Sequence, residues 1–161
     1  MSGNLKSYDV EARLRELEIT LPQAASPVAN YVPAVITGNQ LVVSGQLPLH
    51  EGVLLLKGKL GRDVTEEDGI ACARACFLNI LAQAKLALGG DLSRIKRVVR
   101  LGGFVAGTPE FENHARIING ASDLAVDLFG ESGRHARAAV GVASLPLNAP
   151  VEVEALFEVS K

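Results

Sequence analysis

Apolar positions along this chain follow two rhythms, a helical spacing near 3.6 in some stretches and strict alternation in others. Val10, Leu14 and Leu17 recur at helical spacing inside the charged stretch 9–18, which predicts a short amphipathic helix. Pro22 and Pro27 bracket a loop. Residues 32–37 and 40–46 read as strands joined by Gly38-Asn39, a dipeptide suited to a two-residue hairpin turn. Pro33 marks the first of them as an edge strand or an irregular start. A short apolar run follows, with loop-like His50-Glu51-Gly52 before it and 57–61 after it. Thr65 and Asp68 form a capping-box pattern, and Ile70, Ala73, Phe77, Ile80, Ala84 and Leu88 then mark the buried face of a long helix. Gly89-Gly90 ends it. Residues 95–105 predict a strand in which Gly102-Gly103 marks a bulge or a close backbone approach. Pro109 and Glu110 open a second long helix that runs to Phe129 and stops at Gly130.

The last two segments alternate most clearly. In 136–142, Ala138, Val140 and Val142 share one face, and Arg137, Ala139 and Gly141 share the other. In 151–159, Val151, Val153, Ala155, Phe157 and Val159 make an apolar face opposite Glu152, Glu154, Leu156 and Glu158. Paired as a hairpin, these strands would set Arg137 and Glu152 side by side, away from the main core, with small Ala139 and Gly141 leaving room beside the arginine. The order is a helix followed by β-β-(β)-α-β-α-β-β, with no internal repeat. It predicts an α+β fold with one mixed sheet and two long helices on one face. The short N-terminal helix forms an extension over 1–22, and 23–161 form one domain. The second sheet face, read as the Arg137/Glu152 row, has no helix left to cover it and calls for another subunit.

A length of 161 residues suits a single domain with a sizeable core. Hydrophobic content of 48% against 4% aromatic makes that core aliphatic. A net charge of −2 gives no global attraction to phosphate backbones, so nucleic acid is not an expected partner. Cys72 and Cys76, spaced i,i+4, fit neither a CxxC redox pair nor a four-ligand zinc site, and no Cys/His/Asp cluster or nucleotide loop is present. No metal and no organic cofactor are expected. Residues 1–7 are polar and no run approaches the ~18 apolar residues of a membrane span, so the expected location is cytoplasmic, with the cysteines reduced.

The segment Ala136-Arg137 through Leu145-Pro146, followed by Val151-Glu152-Val153-Glu154, closely resembles the signature of the RidA/YjgF family of enamine/imine deaminases. Tyr31-Val32, Gly38-Asn39 and 43–48 (Val-Ser-Gly-Gln-Leu-Pro) match the family's N-terminal hairpin in order and spacing. The likeness spans roughly residues 23–159. The stretch from Asn119 to Gly130 resembles the larger-chain subgroup often labelled endoribonuclease L-PSP/chorismate mutase-like. The resemblance implies a chorismate-mutase-like fold closing into a homotrimer with sites between subunits, and a cofactor-independent hydrolase. Its substrates would be 2-enamino or 2-imino acids, converted to 2-keto acids and ammonium. Arg137 would hold the substrate carboxylate in a two-pronged grip that lysine cannot form. Glu152 would position or activate water. Tyr31 would close the apolar side of the pocket. Backbone groups near Ser44-Gly45 and Ala139 would hold the amine or the water. Asn119 matches a family asparagine loosely. Ala139 stands where the family often carries cysteine, so no thiol is required.

Blander readings stand beside these. Arg137 and Glu152 also fit an interfacial ion pair, Glu154 and Glu158 solvated or interface charges, Ser44 a strand hydroxyl, Tyr31 packing, and Asn119 a helix hydrogen bond. The basic run Arg94, Lys96, Arg97 and Arg100 divides between two strand faces, as a solvated or interface set does. His50, His114 and His135 lack metal-ligand spacing, and only His135 neighbours Arg137. Two other functions stand beside the deaminase: a trimer that binds small carboxylates with the same arginine clamp without turning them over, and the ribonuclease that the subgroup's label implies. Against the ribonuclease stand the acidic pI of about 5.9 and the lack of aromatic stacking platforms.

Overall fold

A computed structural model describes residues 9–26 and 30–161, so the expectations for Pro27 and for residues 1–7 lie outside the described residues. The elements are α1 (Val10–Glu16), β1 (Ala34–Thr37), β2 (Gln40–Gln46), β3 (Leu49–His50), β4 (Val53–Leu54), α2 (Glu66–Ala87), β5 (Ile95–Ala106), α3 (His114–Phe129), β6 (Ala136–Val142) and β7 (Val151–Val159). One five-stranded mixed sheet runs β1-β2-β7-β5-β6, and β3-β4 form a separate hairpin. Helices α2 and α3 lie on one face of the large sheet, the α+β arrangement the alternating periods predict.

Each helix starts and stops for a local reason. The Thr65 hydroxyl accepts a hydrogen bond from the Asp68 amide at 3.2 Å and caps α2. Beyond α2, Gly89 and Gly90 take φ of 71° and 93°, which reverses the chain. Asp9 caps α1 by accepting from Ala12 N at 3.0 Å. Val10 and Leu14 enter the core, but Leu17 stays 38% exposed. Helix α2 is long and apolar enough by length and composition to match a membrane span, yet it packs centrally between α3 and strands β2 and β7. Gly120 of α3 meets the backbone of α2: a Cβ there would lie 2.1 Å from the Ile70 carbonyl oxygen.

Three expectations are corrected. Helix α3 begins at His114, not at Pro109. Residues Pro109 and Glu110 belong to a turn in which Phe111 N donates to Thr108 O, and the half-buried Phe111 packs against the core. Strand β1 begins at Ala34, one residue beyond Pro33. The third correction bears on function: β6 and β7 are not a hairpin. Strand β5 lies between them, parallel to β6 and antiparallel to β7. The connection passes the end of β5, where Ala106 N donates to Pro150 O at 2.9 Å.

That register fixes which way each strand faces. Arg137, Ala139 and Gly141 pair with Leu101, Gly103 and Val105. Leu101, Gly103 and Val105 are buried under the helices, and a Cβ on Gly103 would strike Ile118 of α3. The Arg137 row therefore faces α3, and Ala138 and Val140 face outward. In β7 the apolar row faces the core as predicted, so Glu152 points to the open side. Arg137 and Glu152 lie on opposite faces with β5 between them.

The open face has no element of this chain over it among the described residues. Val35, Val42, Phe104, Val140 and Leu156 share it with Glu152, Glu154 and Glu158. Arg100 pairs with Glu154 at 3.2 Å on this surface, an exposed ion pair worth little to stability.

Candidate functional site

Two polar clusters stand out, one on each face. The first is built on α3 and β6. Asn119 and Ser122, three residues apart, share one side of α3. Arg137 reaches up from β6, and its Nη1 donates to Asn119 Oδ1 at 2.8 Å and to Ser122 Oγ at 3.1 Å. Both hydrogens of Nη1 are then used, and the Nε–Nη2 edge of the guanidinium remains to receive a planar anion. Arg137 forms no ion pair among the described residues. Continuing from Ser122, its Oγ lies 2.9 Å from His135 Nε2, and His135 Nδ1 meets the Gly133 carbonyl. Ala139, half-buried, packs against the core beside this cluster.

The second cluster forms on the open face where β2 bulges. Val43 pairs with Ala155 and Gln46 with Val153, so Ser44 and Gly45 together oppose Glu154. A Cβ on Gly45 would lie 2.1 Å from Glu152 Oε1, so only glycine lets the carboxylate cross the bulge. Ser44 Oγ donates to Val32 O at 3.0 Å and Ser44 N to Pro33 O at 2.9 Å, tying the bulge to the segment after Tyr31. Ser44 thus has the structural hydrogen bond of a strand hydroxyl. Tyr31 is 41% exposed and lines a small cavity of about 30 Å³ with Pro33, Gly45, Gln46 and Leu47. Half-burial raises the Glu152 carboxyl above its ordinary range, and the neighbouring Glu154 charge adds to that.

Seven residues were expected to meet in one site, and the fold sorts them into two groups. Arg137, Asn119 and Ala139 belong to the α3–β6 edge, and Glu152, Ser44 and Gly45 to the open face, with Tyr31 lining a cavity that runs from Gly45 to Gln83 of α2. Sequence reasoning passed over Ser122. Its i,i+3 spacing from Asn119 was the available signal, and for His135 the signal was adjacency to Arg137. His114 packs edge-on against Phe111 with ring centroids 5.4 Å apart. Among the described residues no group of three or more His, Cys, Asp or Glu is placed to hold a metal. Cys72 and Cys76 are buried free thiols on α2; burial pushes Cys72 up to about 11 and raises Cys76 as well, so neither supplies a thiolate.

Comparison with known proteins matches this arrangement to a family. The family described as "YjgF/chorismate_mutase-like, putative endoribonuclease" matches residues 11–159. Protein TCP17 of Trypanosoma cruzi is 51% identical over 152 residues, 94% of each chain. The crystal structure of protein Atu1372 from Agrobacterium tumefaciens is 54% identical, covers 96% of this chain and 94% of its own, and superposes with a TM-score of 0.88. At 28% identity, RidA from an Antarctic Psychrobacter covers 85% of this chain and 94% of its own, with a TM-score of 0.60.

Proposed function

This chain belongs to the YjgF/chorismate mutase-like family, and from that membership and the arginine's geometry we propose that it hydrolyses 2-imino acids to 2-keto acids and ammonium. The observation that carries the reading is Arg137: Nη1 is held by two helix side chains, and its Nε–Nη2 edge has no carboxylate partner within the described chain. That edge fits a substrate carboxylate side-on. Glu152, on the open face, takes a proton from water as the oxygen adds to C2 of the imine. Glu152 returns that proton to the nitrogen to complete the carbinolamine, and the hydroxyl proton then moves to the nitrogen as the C–N bond breaks, releasing the keto acid and ammonia, which water protonates to ammonium. Such imines hydrolyse unaided in water, so orientation and one general base suffice.

Since the two groups lie on opposite faces, one chain cannot present both to one substrate. The proposed assembly is a closed homotrimer in which the β6 edge of one subunit meets the open face of the next, with Arg137 and Glu152 combined at each junction. The uncovered apolar residues of that face support this reading. Light scattering should give a trimer at micromolar concentration, and a monomer that retains turnover would overturn the shared site. The ribonuclease reading fits the open face poorly, because Glu152, Glu154 and Glu158 there would repel a phosphate backbone.

The direct test is release of keto acid from freshly generated imino acids. Glu152→Gln should bind pyruvate normally yet turn over about tenfold more slowly, because an amide accepts no proton from water. In the parent, activity should fall on the acid side at a pH above the ordinary glutamate range, as the carboxylate is protonated through its raised pKa. The linkage to stability has the opposite sign. An ionised, half-buried Glu152 costs stability at neutral pH, and that cost is relieved as pH falls. Glu152→Gln should therefore melt no lower than the parent. Gly45→Ala should lose activity to a similar degree by pushing the carboxylate aside, with melting nearly unchanged because a flexible side-chain end gives way.

A further inference from the structure

We propose that Ser122 and His135 are positioning residues for Arg137, forming a one-way chain of hydrogen bonds that turns the free edge of the guanidinium toward the substrate. The inference rests on Arg137 receiving a carboxylate, as proposed above, and adds two residues and a direction.

The direction follows from what each group can do. Gly133 offers His135 only a carbonyl oxygen, so His135 Nδ1 must donate. In the neutral ring Nε2 is then a bare acceptor, and the Ser122 hydroxyl must supply the hydrogen between them. With its own hydrogen committed, Ser122 Oγ has lone pairs left to accept from Arg137 Nη1. The chain reads Arg137 to Ser122 to His135 to Gly133, every link donating the same way.

The arrangement answers a specific competition. A helical serine commonly turns its hydroxyl back to the carbonyl four residues earlier, here that of Ile118. The acceptor nitrogen of His135 draws the hydroxyl away and aims its lone pairs at the arginine. The anchor beneath is rigid: a Cβ on Gly133 would lie 2.2 Å from the Ala125 carbonyl oxygen, so that turn is pressed against the α3 backbone. Asn119 holds the second hydrogen of Nη1. Rotation of the guanidinium about Nε–Cζ, which would exchange the tethered and free nitrogens, breaks both bonds.

Long-range proton–nitrogen spectra of protein labelled with 15N-histidine, at mildly alkaline pH, read the tautomer of each of the three histidines. The His135 signals are identified by their loss in His135→Phe. The expected result is the Nδ1–H form in the parent, and the same form in Ser122→Ala because the Gly133 carbonyl still takes the Nδ1 hydrogen. Calorimetric binding of pyruvate should weaken about five- to tenfold in Ser122→Ala and in His135→Phe, and Ser122→Thr, which keeps the hydroxyl, should restore it. Melting temperatures should stay near the parent's. An Nε2–H tautomer in the parent would overturn the chain. So would a Ser122→Ala protein that binds pyruvate like the parent while Arg137→Lys does not. If Arg137→Lys itself binds pyruvate like the parent, the carboxylate reading falls and takes the positioning role with it.

Discussion

Arg137→Lys is expected to lower imino-acid turnover by about ten- to a hundredfold while leaving the fold and assembly intact. Lysine keeps the charge but offers a point donor on a flexible stem, where arginine offers two parallel N–H groups. Here the loss is double. Lysine cannot bond Asn119 and Ser122 and still present a fork outward, because in this fold one nitrogen is tethered and the other edge is left open. Losing one charge-assisted bond and its alignment corresponds to about 1.5–3 kcal/mol, which sets the one- to two-decade range. The assay pairs turnover of a fresh imino acid with calorimetric binding of pyruvate. Parental values in both would show that the arginine serves something other than carboxylate capture.

The largest stability effect is expected at Gly120. The methyl of Gly120→Ala would sit 2.1 Å from the Ile70 carbonyl oxygen and 3.2 Å from the Arg74 amide nitrogen, both backbone atoms of α2. Backbone cannot swing aside as a side-chain end can, so the helices must separate along their contact. Overpacking of this kind costs about 1–3 kcal/mol, and the backbone clash places it at the upper end. For a domain of this length that is a fall in melting temperature of roughly 5–10 °C. Gly120→Ala would otherwise favour a helix, so a rise in melting temperature would mean that the contact relaxes at no cost. Gly120 also sits between Asn119 and Ser122, so separating the helices should loosen the hold on Arg137. Weaker pyruvate binding in the surviving fold would reveal it.

The parts of the fold legible in the sequence are those where pattern and chemistry agree. Helix α2 carries its cap at Thr65, its apolar face and its terminal glycines, and each lies where the spacing predicts. Strand β7 is equally plain, because valine, alanine and phenylalanine oppose three glutamates. Strand β6 is the contrary case. Its faces are Ala138, Val140 and Val142 against Arg137, Ala139 and Gly141, so the pattern marks the valine face as the core side when the arginine face is the one that turns to α3. Neighbours in sequence usually pair, and a short connection after Pro146 favours a hairpin; only the placement of β5 between the strands shows otherwise. The start of α3 misleads for a related reason: Pro109-Glu110 is a helix-opening pattern, and here it opens a turn. The site is legible in its residues and not in its layout. Arg137 and Glu152 stand out through the family's motifs, whereas Ser122 and His135 meet only because β6 runs beneath α3.

The opposed directions of Arg137 and Glu152 have a genetic consequence. On the proposed assembly, each chain lends an arginine to one neighbour's cleft and a glutamate to the other's. A subunit lacking the first and a subunit lacking the second are then defective in different clefts. Refolded together, an Arg137→Lys chain and a Glu152→Gln chain would form rings in which every mixed trimer regains one intact junction, about a quarter of the parental activity at equal mixing. Two broken alleles would complement each other in one cell, and a single broken allele would leave part of the pooled activity standing.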